Sequence, residues 1–294
     1  MKSLEKAANA LVSRRAAVGG ASAMGLGFLP LVGAAAAAGS LPSVEGLHLP
    51  VTPEENLTNL VRVTASLDPE DTPWFFNGSI YAVVGDAAPL ELMRVQGMEM
   101  YQMRRVGPDS YMMKGTTVTF MTDTQTGDWL RELKNPFTDR VVSVPASAAT
   151  SGAGRGYLYQ TTGVRPSWVV DQFPDAALKL WWTTAGEFVW LHNETVYPPG
   201  LKQPRKQRQS NFVRKDHFAD KSRRRLPAGF TVSFFAPWPS WLEMSDRPGH
   251  LVWHASGAKL DSVKDLPDAY RTRIEKEYPE MMTIKFDGDP QSKG

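Results

Sequence analysis

The chain has no cysteine among its 294 residues. Disulfides and thiolate metal centres are therefore excluded, and stability has to come from a packed core. Neither G-x-G-x-x-G nor G-x-x-x-x-G-K-[ST] follows a strand-like run, so a nucleotide-binding fold is not expected. G-x-S-x-G and H-E-x-x-H are also missing, which removes the commonest signatures of serine hydrolases and zinc proteases. Histidine is scarce, with five residues in all. The longest apolar run lies in the first forty residues, is rich in Ala and Gly, and contains Pro30. It would make a poor permanent membrane span, which needs about 20 strongly apolar residues.

What stands at the N-terminus reads instead as a leader. Charged residues come first, then Ser13-Arg14-Arg15, then the weakly apolar stretch ending in small residues. This is the pattern of a twin-arginine signal peptide, cleaved between Ala34 and Ser40. Residues 1–39 are thus expected to be signal and linker, and residues 40–294 a single β-rich domain with a basic loop at 201–225. The expected location is periplasmic or otherwise extracytoplasmic, reached by the twin-arginine route.

Charge is segregated. The whole chain is +2, but residues 1–38 carry +3, so the remainder is near −1. Within that remainder, residues 201–225 hold ten Lys and Arg against Asp216 and Asp220. An exported protein rarely meets nucleic acid, so no nucleic-acid partner is expected. A solvated loop, a lid over an acidic mouth, or weak contact with an anionic membrane surface are the readings of this stretch.

Secondary structure is legible in outline. Thr52, Pro53 and Glu55 form a capping box with proline at the first helical position, and Leu57, Leu60 and Val61 share a face. They predict a helix over about 53–66. From Trp74 onward, short runs rich in Val, Tyr, Phe, Trp, Thr and Met alternate with turn clusters such as "GDAAP", "GPDS" and "DTQTGD". That spacing predicts an antiparallel β-barrel or barrel-like sandwich, with strands including 79–84, 90–96, 98–106, 111–121, 187–196, 230–236 and 250–255. "LPDAYRTRIEKEYPEMM" predicts a second helix near the C-terminus, closed by Pro279.

Three stretches, "WFFNGSIYAVVGD", "TDTQTGDWLRELKNPFTDRVVSV" and "PWPSWLEMSDRPGHLVWHASGAKL", resemble in order the bacterial family named domain of unknown function 1838. The most telling residues are Asp123, Thr126, Gly127, Trp129, Asn135, Pro136, Phe137 and Thr138. Where the family pattern suggests Gly-Glu, this sequence has Asp139-Arg140. The resemblance implies a β-rich, barrel-like fold and no particular reaction.

Candidate functional residues follow from pattern. In "FFAPWPSWLEM" a strand meets two prolines and must stop pairing, because proline has no N–H to donate. Trp238 and Trp241 then face either core or cavity, and Glu243 and His254 are candidate base and acid beside them. His192 and Glu194 lie on one face of a strand and form a second candidate acid–base pair. In "LMRVQGMEMYQMRR" neither strand face is a simple apolar stripe, which points to a lined barrel cavity. Tyr101, Arg94, Tyr111 and Lys114 are candidates to hold an anionic or phenolic group. Seven of the twelve methionines fall between Met93 and Met121. They suit pocket packing or, alternatively, copper(I); no metal site and no organic cofactor is expected. The sequence thus suggests an exported protein that binds a small apolar or aromatic molecule. It would act either as a cofactor-independent lyase, isomerase or hydrolase or as a non-catalytic carrier.

Overall fold

The computed structural model describes residues 47–151, 157–160, 163–165, 177–197 and 206–286. The expected leader, residues 1–39, lies outside them. The described part begins with α1 (Pro53–Thr64), which has the capping box read from the sequence: Thr52 Oγ1 accepts from the Glu55 amide, and the Glu55 carboxylate accepts from the Thr52 amide.

Antiparallel strands follow: β1 (Thr72–Val83), β2 (Leu90–Gly107), β3 (Ser110–Thr122), a small hairpin of β4 (Glu132–Lys134) and β5 (Val141–Ser143), then β6 (Ser147–Ser151), β7 (Tyr157–Gln160), β8 (Gly163–Arg165), β9 (Ala177–Ala185), β10 (Phe188–Val196), β11 (Lys206–Arg214), β12 (Gly229–Ala236) and β13 (His250–Lys259). A short helix, α2 (Lys215–Ala219), interrupts the strands, and α3 (Asp268–Glu277) follows them. The main sheet runs β8-β7-β3-β2-β1-β13-β12-β11-β10-β9, with β6 also on β3. Among the described residues no ladder joins β8 to β9, so the sheet is sandwich-like and not a closed barrel. One buried cluster still joins Trp74, Ile80 and Met93 from its middle to Val189, Leu191 and Val213 near one end, so the sheet bends round a shared interior.

The register sorts side chains into two faces. Inward are Trp74, Phe76, Gly78 and Ile80 of β1, with Val95, Gly97, Glu99 and Tyr101 of β2 and Leu251, Trp253, Ala255, Gly257 and Lys259 of β13. Gly97 is needed there because the ring of Phe76 fills the space its Cβ would take. α1 caps one end of this face and is tied down by side-chain bonds. Trp74 Nε1 donates to the Thr64 carbonyl at 3.0 Å, and Trp182 Nε1 donates to Asn56 Oδ1 at 2.7 Å. Lys259 Nζ donates to the carbonyls of Arg62 and Ala65, at 3.1 and 2.9 Å. These carbonyls belong to the negative end of the helix, where a cation is favourable. Burial pushes the Lys259 ammonium well below its ordinary pKa all the same.

The mixed faces of β2 have a different cause from the one expected. Its outward residues Met98, Met100 and Gln102 are buried, because α3 and the turn after it cover that end of the outer face. Tyr270 and Ile274 of α3 pack there with Phe120 and Val118, and Tyr270 Oη donates to the Val118 carbonyl at 2.7 Å. β2 is thus a strand between two layers. The expected strands 90–96 and 98–106 are one long strand. Six of the seven clustered methionines, Met93, Met98, Met100, Met103, Met113 and Met121, are buried in these layers, as packing requires.

The expected basic loop at 201–225 also needs correction over residues 206–225; residues 201–205 lie outside the described residues. Lys206–Arg214 is β11, paired on both sides, and Lys215–Ala219 is α2. Arg214, Arg223, Arg224 and Arg225 are paired with Asp216, Asp220, Asp68 and Glu70.

Candidate functional site

The proline-tryptophan corner walls a cavity of about 470 Å³. β12 ends at Ala236, and Pro237-Trp238-Pro239 leads into a single 3-10 turn, Ser240–Leu242. The two tryptophans take different roles. Trp238 is buried in the core, its Nε1 donating to the Arg247 carbonyl at 3.1 Å. Trp241 lines the cavity, together with Trp253 and Phe234, whose rings stack 5.1 Å apart at 18°. Ile80, Met93, Met121 and Leu251 form its floor, and Pro145, Ala146 and Ser147 border it. No titratable side chain is among the described residues that line it.

The motif "NPFT" holds this corner in place. Asn135 is fully buried; its side-chain nitrogen donates to the Leu242 carbonyl at 2.9 Å and its oxygen accepts from the Phe137 amide at 2.9 Å. Asp123 Oδ1 accepts from the amides of Gln125 and Thr126, both at 2.8 Å, and Gly127 takes a left-handed φ of 76° that closes the same turn. Trp129 packs on Phe120 and Tyr270. The residues that carried the family resemblance are therefore turn-formers and tethers. Across the corner, Arg140 Nη1 meets Glu243 Oε2 at 2.9 Å, and two non-glycine residues with positive φ sit at that contact: Asp139, beside Arg140, at 59° and Glu243 itself at 55°.

The candidate acid–base residues do not assemble at this cavity. Glu243 is exposed and ion-paired to Arg140. His254 neighbours Trp253 in β13, so it points to the opposite, outer face, where Nδ1 lies 2.8 Å from Ser233 Oγ. Glu243, His254 and Trp241 thus do not share one mouth. His192 and Glu194 do share the outer face of β10, as expected of alternate residues, but each has its own partners. The His192 ring stacks between Trp181 and Trp190, with centroids 5.1 and 6.2 Å away, and its nitrogens lie 2.9 Å from Thr183 Oγ1 and 2.8 Å from Ser210 Oγ. Partial burial, with Arg208 nearby, lowers its pKa and favours neutral imidazole. Glu194 pairs with Lys206 at 3.5 Å.

The proposed ligand-holding groups scatter in the same way. Arg94 borders an open polar groove of about 570 Å³ on the outer face with Asn77, Ser79 and Gln96; there Glu91 Oε1 accepts from Ser79 Oγ at 2.7 Å and from Arg94 Nε at 3.2 Å. Tyr111 packs with Leu57 and Val61 under α1. Lys114 lies over the Phe286 ring at 5.1 Å. Tyr101, on the same inward face as Tyr111, lies beside a group that pattern reading passed over, Glu99, whose carboxylate accepts from Tyr101 Oη at 2.5 Å. Burial raises the Glu99 pKa, opposed in part by that hydrogen bond. The available signal was an isolated glutamate flanked by methionines within one strand. Among the described residues, no group of three or more His, Asp or Glu is arranged to hold a metal ion.

Residues 70–153 and 211–288 match the model of a family described as a protein of unknown function (DUF1838). No curated protein and no solved structure matches the chain.

Proposed function

Because the chain belongs to the DUF1838 family, whose description names no activity, we propose a function from its own cavity: the reversible binding of a small apolar or aromatic molecule against Trp241, Trp253 and Phe234. The observation that carries this reading is the aromatic lining of the corner cavity. Its volume is in the range of small-molecule sites, and aromatic walls supply most of the area such a ligand buries. A cavity whose described lining holds no acid or base favours binding over acid–base catalysis. The carrier reading therefore stands ahead of the lyase, isomerase or hydrolase reading. The twin-arginine-type leader supports an encounter with this molecule outside the cytoplasm. Replacing Arg14 and Arg15 by Lys would then retain the protein in the cytoplasm, as cell fractionation reads directly.

The test of binding uses N-phenyl-1-naphthylamine, a neutral aromatic fluorophore. Saturable one-to-one binding is expected. Trp241→Ala should weaken it by about tenfold, the loss of roughly 1.4 kcal/mol of ring contact. Glu243→Gln and His254→Asn should leave it unchanged. Binding that is non-saturable, or that survives Trp241→Ala and Trp253→Ala intact, refutes the proposal.

A further inference from the structure

Glu99 sits at the middle of the inward row Lys259-Trp74-Glu99-Thr117, spanning β13, β1, β2 and β3. Glu99, Tyr101 and Thr117 all face inward, yet each keeps accessible surface. Inward residues that keep accessible surface border an interior space. Its two oxygens are not equivalent. Oε2 accepts from Tyr101 Oη; Oε1 has no partner among the described residues and is not sealed off from accessible space. No lysine or arginine forms an ion pair with Glu99 among the described residues. Lys259 stands beyond Trp74, its ammonium committed to the carbonyls at the end of α1. From β3 the facing residues are Thr117 and Gly115, and α1 presents Leu57 and Val61 to this part of the interior.

A carboxyl group in that setting costs stability, because desolvation is not repaid by a counter-charge. Burial raises its pKa, and in the protonated form Oε1 donates a hydrogen bond while Oε2 accepts from Tyr101. We infer that Glu99 and Tyr101 form the polar end of a second, interior site. It takes a hydrogen-bond acceptor, the carbonyl of a ketone, ester or amide, carried on an otherwise apolar molecule. The ring of Tyr101, partly buried on the same inward face, gives that molecule an apolar neighbour. This site is separate from the corner cavity: along β1, Trp74 and Ile80 are six residues apart, about 20 Å at strand rise.

The experiment is calorimetric titration of the Trp241→Ala protein, so that the corner cavity contributes little, with two matched probes: 2-acetylnaphthalene, which has a carbonyl, and 2-ethylnaphthalene, which has none. The ketone is expected to bind about tenfold more tightly, the worth of one good buried hydrogen bond. Glu99→Leu should erase that margin. Glu99→Gln, whose amide also donates, should keep most of it. Raising the pH from about 5 to about 9 should erase the margin with Glu99 present, since a carboxylate cannot donate, but not with Glu99→Gln. That contrast still tests the inference if Glu99→Leu fails to fold. Equal affinity for the two probes, no binding of either, or a margin indifferent to pH overturns it. So does stronger binding of 2-(aminomethyl)naphthalene that grows with pH, which would make Glu99 an anchor for cations. None of these outcomes touches the corner cavity, whose own test is loss of N-phenyl-1-naphthylamine binding in Trp241→Ala.

Discussion

The two faces of the central strands divide the work differently. At adjacent positions of β13, Trp253 turns inward to the cavity and stacks on Phe234, while His254 turns outward to Ser233. The same holds along β1, where Trp74, Phe76 and Ile80 are buried and Asn77 and Ser79 border an open polar groove. Residue types that usually perform chemistry, His192, Glu194, Arg94 and His254, lie on the outer face. Among the described residues the interior holds aromatics, methionines, the side-chain amides of β11, Lys259 and the carboxyl group of Glu99. A titratable side chain in a strand thus says little about function until its face is known, and a shift of one position reverses the face.

The sharpest way to break this contrast is to truncate the two faces in turn. Trp74→Ala removes a buried indole, its bond to the Thr64 carbonyl and its contact with the Lys259 ammonium. It should cost about 3–5 kcal/mol in urea unfolding. Next comes Glu99→Gln, which tests whether the interior carboxyl is kept at a cost. Its folded pKa is raised, so its contribution to stability is complete below the unfolded carboxylate value and is lost as pH rises through the folded one. The melting temperature of Glu99→Gln relative to the parent should therefore climb as pH increases from about 4.5; a gap that stays flat or narrows contradicts a raised pKa. Smaller still, Asp139→Gly relieves a left-handed non-glycine residue and should stabilise by about 0.5–1 kcal/mol, after the entropy that glycine gives the unfolded chain is counted. A loss of stability would mean that the Asp139 side chain makes a compensating contact. His254→Asn, on the outer face, should stay within about 0.5 kcal/mol of the parent by the same measurement.

Much of this architecture could be read from sequence because it rests on local rules. Thr52, Pro53 and Glu55 announce α1, and Pro237 and Pro239 end β12 where pairing must stop. The helix near the C-terminus shows in Tyr270 and Ile274, both of which it buries. β11 was not legible, for a physical reason: its inward residues are Gln207, Gln209, Asn211 and Val213, so the apolar alternation that marks a half-buried strand is nearly absent. β2 misled in the opposite sense. Two covering layers bury both its faces, and its mixed pattern reports a cover on the outside as much as space on the inside. For the candidate site, Trp241 was legible as a core-or-cavity residue because an aromatic just after Pro237 and Pro239, at a strand end, has few places to go. Glu243 and His254 are close in sequence, but their convergence depended on backbone direction at the corner. There the left-handed Glu243 turns its carboxylate to Arg140, a partner a hundred residues earlier in the chain.

The seam between β1 and β13 joins Trp74 to Lys259, segments near opposite ends of the described chain. Until the last strand has left the ribosome, β1 keeps one open edge, and α1 lacks the lysine that closes its final turn. Synthesis of the first half alone cannot complete the interior. Assembly of this sheet is a late, nearly whole-chain event with long-range pairing, the kind that folds slowly.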